Sequence, residues 1–164
     1  MKLFQVDAFT DQLFHGNPAA VVPLDTWPDD ELLRQIATEN NLSETAFLVP
    51  SKEADYHLRW FTPTHEVKLC GHATLASAWV LFHRLDFPYN RIHFTTASGP
   101  LEVMRENDTI SMALPCWPPV AVAPYPGLLE ALGLDGARAV LEARDTLVVL
   151  DDEAGVRAVE PDMR

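Results

Sequence analysis

The sequence predicts an α+β fold in which a curved, mostly antiparallel sheet wraps one central apolar helix. Three observations carry this expectation. From His72 to Phe82 the only clearly polar residues after the histidine are Thr74 and Ser77, and Ala73, Leu75, Ala76, Ala78, Trp79, Val80, Leu81 and Phe82 cover every face of a helical wheel. At about a dozen residues such a helix is too short to span a bilayer, so protein must wrap it. Short runs of alternating apolar and polar residues stand on both sides of it, bounded by Gly, Pro, Asn and Asp. Finally, 164 residues with 48% hydrophobic content bury a sizeable core without help from disulfides or metals.

Taken in order, residues 3–9 alternate and are broken by Thr10-Asp11, which reads as a half-buried strand. Gly16-Asn17-Pro18 reads as a turn before a second strand at 19–22. Asn17 has two readings, turn chemistry or an amide facing a polar substrate, and the turn is the stronger. Asp29, Asp30 and Glu31 precede an amphipathic helix ending at Asn40-Asn41, with Leu32, Leu33, Ile36 and Ala37 along one stripe and the acids at its positive end. Glu44 follows in LSETAFLVP, another strand. Alternation there turns Glu44 outward; turned instead into an apolar cleft, burial would raise its pKa and suit it to proton transfer.

Residues 56–61 make a strand leading to Gly71 and the apolar helix. Strands at 91–96, 101–105 and 109–114 complete a lobe of about seven strands and two helices over residues 1–114. Composition then shifts. Residues 115–127 are proline-rich and read as a linker. Residues 128–164, with a short helix at 128–132 and strands at 139–143 and 147–150, read as the incomplete start of a second lobe.

Twelve Lys and Arg face 24 Asp and Glu, a net charge of -12, which repels nucleic-acid backbones and anionic membranes alike. The two cysteines, Cys70 and Cys116, form no CxxC pair, and the first residues show no signal peptide, so a reducing cytoplasm is expected. Glycine-rich nucleotide loops are absent, and no nucleotide cofactor is expected. His65, Cys70 and His72 are the set that a metal would use, but without a second shell none is assigned. The start of the apolar helix is the leading site candidate. Its first turn leaves backbone N–H groups unpaired and partly positive, so Gly71, His72 and Ala73 offer donors to an anion such as a substrate carboxylate. Cys70 stands at that end. It is either a thiol whose pKa the dipole lowers or a small buried hydrophobe.

The segments QVDAFTDQLFHGNPAAVVPL, IATENNLSETAFLV, LRWFTPTHEVKLCGHATLASAWVLF and FTTASGPLEV, in that order, resemble the PhzF-like (phenazine biosynthesis-like) proteins over most of residues 1–114. The resemblance implies the fold of diaminopimelate epimerase, two similar lobes, each a curved sheet around a helix, with the site in the cleft between them. It also implies cofactor-independent isomerisation of a small carboxylate-bearing metabolite. Glu44 matches the family's catalytic carboxylate, His72 its motif histidine, and Gly71, His72 and Ala73 its anion-binding helix start. Cys70 falls where related epimerases and proline racemases carry a catalytic thiol, on which PhzF-like proteins do not generally depend. Against the family pattern the second lobe is largely missing. The chain is therefore expected to be a fragment, a split-gene product or a remnant. Its expected partner is a complementing second-lobe chain or a second copy in a homodimer, and the alternative to catalysis is a binding or assembly role.

Overall fold

The structure, a computed structural model, describes residues 1–12 and 14–161, which divide into two compact units, Met1–Leu114 and Pro115–Arg164. The first unit opens with a hairpin of β1 (Phe4–Ala8) and β2 (Asn17–Pro23). Gly16 enters β2 with φ +79°, where an added Cβ would lie 2.3 Å from the carbonyl oxygen of Ala8, so this position demands glycine. Of the expected turn Gly16-Asn17-Pro18, only Gly16 lies outside the strands. Asn17 and Pro18 already pair with Ala8 and Asp7 as the first residues of β2, a position at which a strand tolerates proline.

Helix α1 (Asp30–Asn40) starts at Asp29, whose Oδ1 accepts the Leu32 amide at 2.8 Å, and stops at Asn41 in the left-handed region with φ 49°. Its apolar stripe buries Leu33 and Ala37 against Val22, Phe47 and Phe61. β3 (Glu44–Pro50) runs parallel to β2 and antiparallel to β4 (Tyr56–Phe61), and β5 (Glu66–Val67) is a two-residue strand on the end of β4 that periodicity did not reveal. After α2 (Gly71–Arg84), β6 (Arg91–Thr96) joins β4 in parallel, and β7 (Gly99–Glu106) and β8 (Thr109–Ala113) continue as an antiparallel meander.

The sheet runs β1-β2-β3-β4-β6-β7-β8, with β5 on β4. Helix α2 packs against β1, β2, β3 and β8, that is, against both ends of one sheet. Laid flat, seven strands about 4.8 Å apart would separate those ends by roughly 29 Å, far more than the roughly 10–12 Å diameter of a helix. The sheet therefore curls around α2. Ala46, Leu48, Leu58, Trp60, Ile92, Phe94 and Val103 meet Ala73, Ala76, Ala78, Val80 and Leu81 in the resulting core. The curl is not complete, because β1 and β8 do not pair with each other. Along this gap Leu75 and Trp79 stay half-buried and floor a groove of about 760 Å³ with Phe4, Val6 and Ile110 on its sides. The helix expected to be covered on every face thus keeps one open stripe.

The second unit holds β9 (Val120–Val122), α3 (Leu128–Ala131), β10 (Ala139–Glu142), β11 (Thr146–Val149) and α4 (Glu153–Arg157), with β10 central in an antiparallel sheet. The proline-rich segment expected as a linker supplies β9. Val120, Ala121 and Val122 are a proline-free window between Pro119 and Pro124, short enough to pair with β10. Val140 is the buried apolar residue of this unit among those described. No helix among the described residues is long and apolar enough to cross a membrane.

Candidate active site

Strand β3 places Glu44. Side chains alternate across a strand, so Glu44, Ala46 and Leu48 share the face toward α2 while Thr45, Phe47 and Val49 share the face toward α1. Both faces are covered, and Thr45, Ala46, Phe47 and Leu48 are all fully buried. This corrects the outward reading of Glu44. Alternation inside one strand does not distinguish a one-sided sheet from one with a helix on each face, and here the row containing Glu44 is the inner one. The Glu44 side chain keeps only 19% of its exposure, at the end of β3 that lies level with Ala19 of β2.

Helix α2 brings the other groups. Cys70 approaches in extended conformation (φ -142°, ψ 113°), and Thr74 makes the first helical bond, its amide reaching the Cys70 carbonyl at 3.2 Å and its hydroxyl donating to the same oxygen at 2.6 Å. No side-chain hydrogen bond caps the helix, so the Gly71, His72 and Ala73 amides form an uncapped first turn. His72, with 10% of its side chain exposed, puts Nε2 3.4 Å from Glu44 Oε2 and 3.5 Å from Ser43 Oγ. Its Nδ1 lies 3.4 Å from Cys70 Sγ.

Cys70 itself is 8% exposed. Burial pushes its thiol up to about 12; the Ala73 amide draws it back, the nearby Glu44 carboxylate adds to the rise, and the His72 amide draws it back least, so desolvation sets the outcome. Of the two readings of Cys70, the small buried hydrophobe fits and the lowered thiol does not, because desolvation of the sulfur outweighs the partial charge of the first turn. Cys70 is a protonated thiol, not a thiolate.

The structure brings Glu44, Cys70, Gly71, His72 and the Ala73 amide to one point, with the Ala73 methyl buried in the core. Asn17 is exposed at the head of β2, two residues before the partner of Glu44. Sequence reasoning passed over Ser43, whose only signal was its place next to Glu44. The metal-competent group is Glu44, Cys70 and His72, with ligand atoms within 4.8 Å of one another, rather than the set with His65, whose Nδ1 faces the Thr62 and Thr64 hydroxyls. One cation would take a single imidazole nitrogen, whereas His72 turns opposite nitrogens to Glu44 and Cys70. The arrangement is that of a carboxylate held 3.4 Å from an imidazole whose two nitrogens also meet Ser43 Oγ and Cys70 Sγ. A carboxylate beside an imidazole and free amides has the parts to take a proton from carbon and steady the charge left behind.

Comparison with known proteins finds relatives over nearly the whole chain. An uncharacterized isomerase of Pseudomonas aeruginosa is 57% identical over 162 residues, 99% of this chain. The chain spans 62% of the length of that relative. The crystal structure of a phenazine biosynthesis protein of the PhzF family from Enterococcus faecalis matches with a TM-score of 0.89 at 42% identity, over 98% of this chain and 61% of that one. The structure of a predicted epimerase from Pseudomonas aeruginosa, at 24% identity, shares the fold with a TM-score of 0.69 over 86% of this chain and 55% of that one. The α+β, epimerase-like fold is thereby established. The family model described as "PhzC-PhzF: Phenazine biosynthesis-like protein" matches residues 6–164, and the chain belongs to that family.

Proposed function

We propose that this chain carries one wall of the active site of an isomerase that moves a proton on a small carboxylate-bearing metabolite without a cofactor. The observation that carries the reading is the 3.4 Å approach of Glu44 to His72 at the uncapped start of α2. The substrate carboxylate docks on the amides of Gly71, His72 and Ala73, where unpaired N–H groups and the helix dipole favour an anion. Glu44 takes the proton from the adjacent carbon and returns it elsewhere on the product, while His72 orients the carboxylate of Glu44 and the first-turn amides of α2 face the developing negative charge. Asn17, at the head of β2, offers its amide to polar groups of the substrate. The relatives named isomerases support the reaction class.

Proton abstraction next to a carboxylate needs the reacting groups held in place and sheltered from water. Full turnover is therefore assigned to the site completed by a second lobe, supplied by a complementing chain or a second copy. The test is solvent-deuterium uptake. Candidate carboxylates are incubated in deuterated water with this chain and with the remaining portion of the Pseudomonas aeruginosa relative. The expected result is deuterium on substrate carbon that disappears in Glu44→Gln. Uptake that survives this substitution, or none with any candidate, would overturn the reading.

A further inference from the structure

The proposed reaction uses Glu44, His72 and the amides of α2 but leaves Cys70, the third member of the cluster, without a task. The imidazole of His72 meets different groups at its two nitrogens, Glu44 Oε2 at 3.4 Å and Ser43 Oγ at 3.5 Å on Nε2, and Cys70 Sγ at 3.4 Å on Nδ1. A neutral imidazole carries one proton. Placed on Nδ1, it would leave the Nε2 lone pair facing an anionic carboxylate with no proton between them. Placed on Nε2, it lies toward the carboxylate 3.4 Å away, whose negative charge favours it there.

The second arrangement makes Nδ1 an acceptor, and the group beside it must then donate. A thiol does so only while it keeps its proton. Burial at 8% exposure, with the thiol pushed up to about 12, ensures that it does. The same sulfur also stands within reach of the Glu44 carboxylate. One proton serves one strong bond, and Nδ1 is the acceptor that meets the sulfur in hydrogen-bond geometry, at 3.4 Å.

We propose that Cys70 is a positioning residue: its thiol donates to Nδ1 of His72 and thereby holds the imidazole in the Nε2–H form that faces Glu44. The catalytic meaning of this rests on the reading of Glu44 as the base, because a His72 locked as donor orients that carboxylate instead of competing with it for the proton. No bond to sulfur is made or broken. The thiol keeps its proton throughout, which separates this role from that of a nucleophilic or proton-relaying cysteine.

Nitrogen-15 NMR of the imidazoles at alkaline pH, with the His72 signals assigned by their loss in His72→Gln, reads the tautomer directly. In the wild-type chain His72 is expected as a single Nε2–H form. Cys70→Ala and Cys70→Val, the latter filling the volume without a donor, leave only Glu44 to favour Nε2–H and are expected to weaken that preference, so that an Nδ1–H fraction appears. Cys70→Ser, which keeps a donor, is expected to restore it. An Nδ1–H form in the wild type, or an unchanged Nε2–H form in both variants without a donor, would overturn the inference. Because the readout needs no turnover, the two readings fail separately. A tautomer that follows Cys70, with no Glu44-dependent deuterium uptake, removes the reaction and leaves the lock. Uptake with a tautomer indifferent to Cys70 removes the lock alone.

Discussion

The two long helices of the first unit, α1 and α2, face opposite demands. Helix α1 lies on the outer face of the sheet with one apolar stripe, and its positive end is closed by the Asp29 carboxylate and two further acids, Asp30 and Glu31. Helix α2 lies inside the curl, is apolar on nearly every face, and begins at Cys70 with no capping oxygen and no acid in its first turn. A helix that serves only to cover a sheet satisfies its own N-terminus. One that leaves those amides free inside a protein keeps them for something else.

The sharpest way to break this contrast is to put a charge on each helix. Ala78→Asp places an unpaired carboxylate in the fully buried face of α2, a cost of at least several kcal/mol against a domain stability of about 5–15 kcal/mol, and is expected to abolish cooperative unfolding by circular dichroism. Glu39→Lys on the exposed face of α1 is expected to change stability by no more than about 0.5 kcal/mol.

Glycine substitutions sharpen it further. Gly16→Ala meets a carbonyl oxygen at 2.3 Å with φ +79°, and a loss of about 2–3 kcal/mol is expected in urea denaturation. Gly71→Ala finds only Met112 Cε at 3.7 Å and Leu114 Cδ1 at 3.9 Å, and the gain in helix propensity leaves it neutral to about 1 kcal/mol more stable. Removing the α1 cap with Asp29→Ala is expected to cost about 1 kcal/mol by the same measurement.

The smallest effect is chemical. Treated with iodoacetamide at pH 8, the folded chain is expected to react at exposed Cys116 and to spare Cys70 until it is denatured, as read by mass spectrometry. The same thiol ties stability to pH. Its folded value near 12 stands above the ordinary 9.0, so the stability gained by burying it neutral is present below about pH 9 and is lost as pH rises toward 12.

Much of this was legible in the residues themselves. Helix α2 declared itself because no face of it is polar, and its burial required a wrapping sheet. The hairpins announced themselves by alternation and turn residues. What escaped depends on partners distant in the chain. The open stripe at Leu75 and Trp79 exists because β1 and β8 do not meet, which no local pattern encodes. The inward turn of Glu44 depends on α1 covering the other face of β3. For Cys70 the helix dipole was visible in sequence but the desolvation that outweighs it was not. Strand β5, at two residues, is too short for any period.

The contrast between the helices is tested most directly by mapping where a small carboxylate binds. Titrating acetate or a short amino acid into isotopically labelled protein while following backbone amides compares the two N-termini in one spectrum. The amides of Gly71, His72 and Ala73 are expected to shift in a saturable way while those of Asp30, Glu31 and Leu32 stay still. Saturable shifts at the start of α1 with none at α2 would contradict the assignment of the open helix end as the anion site.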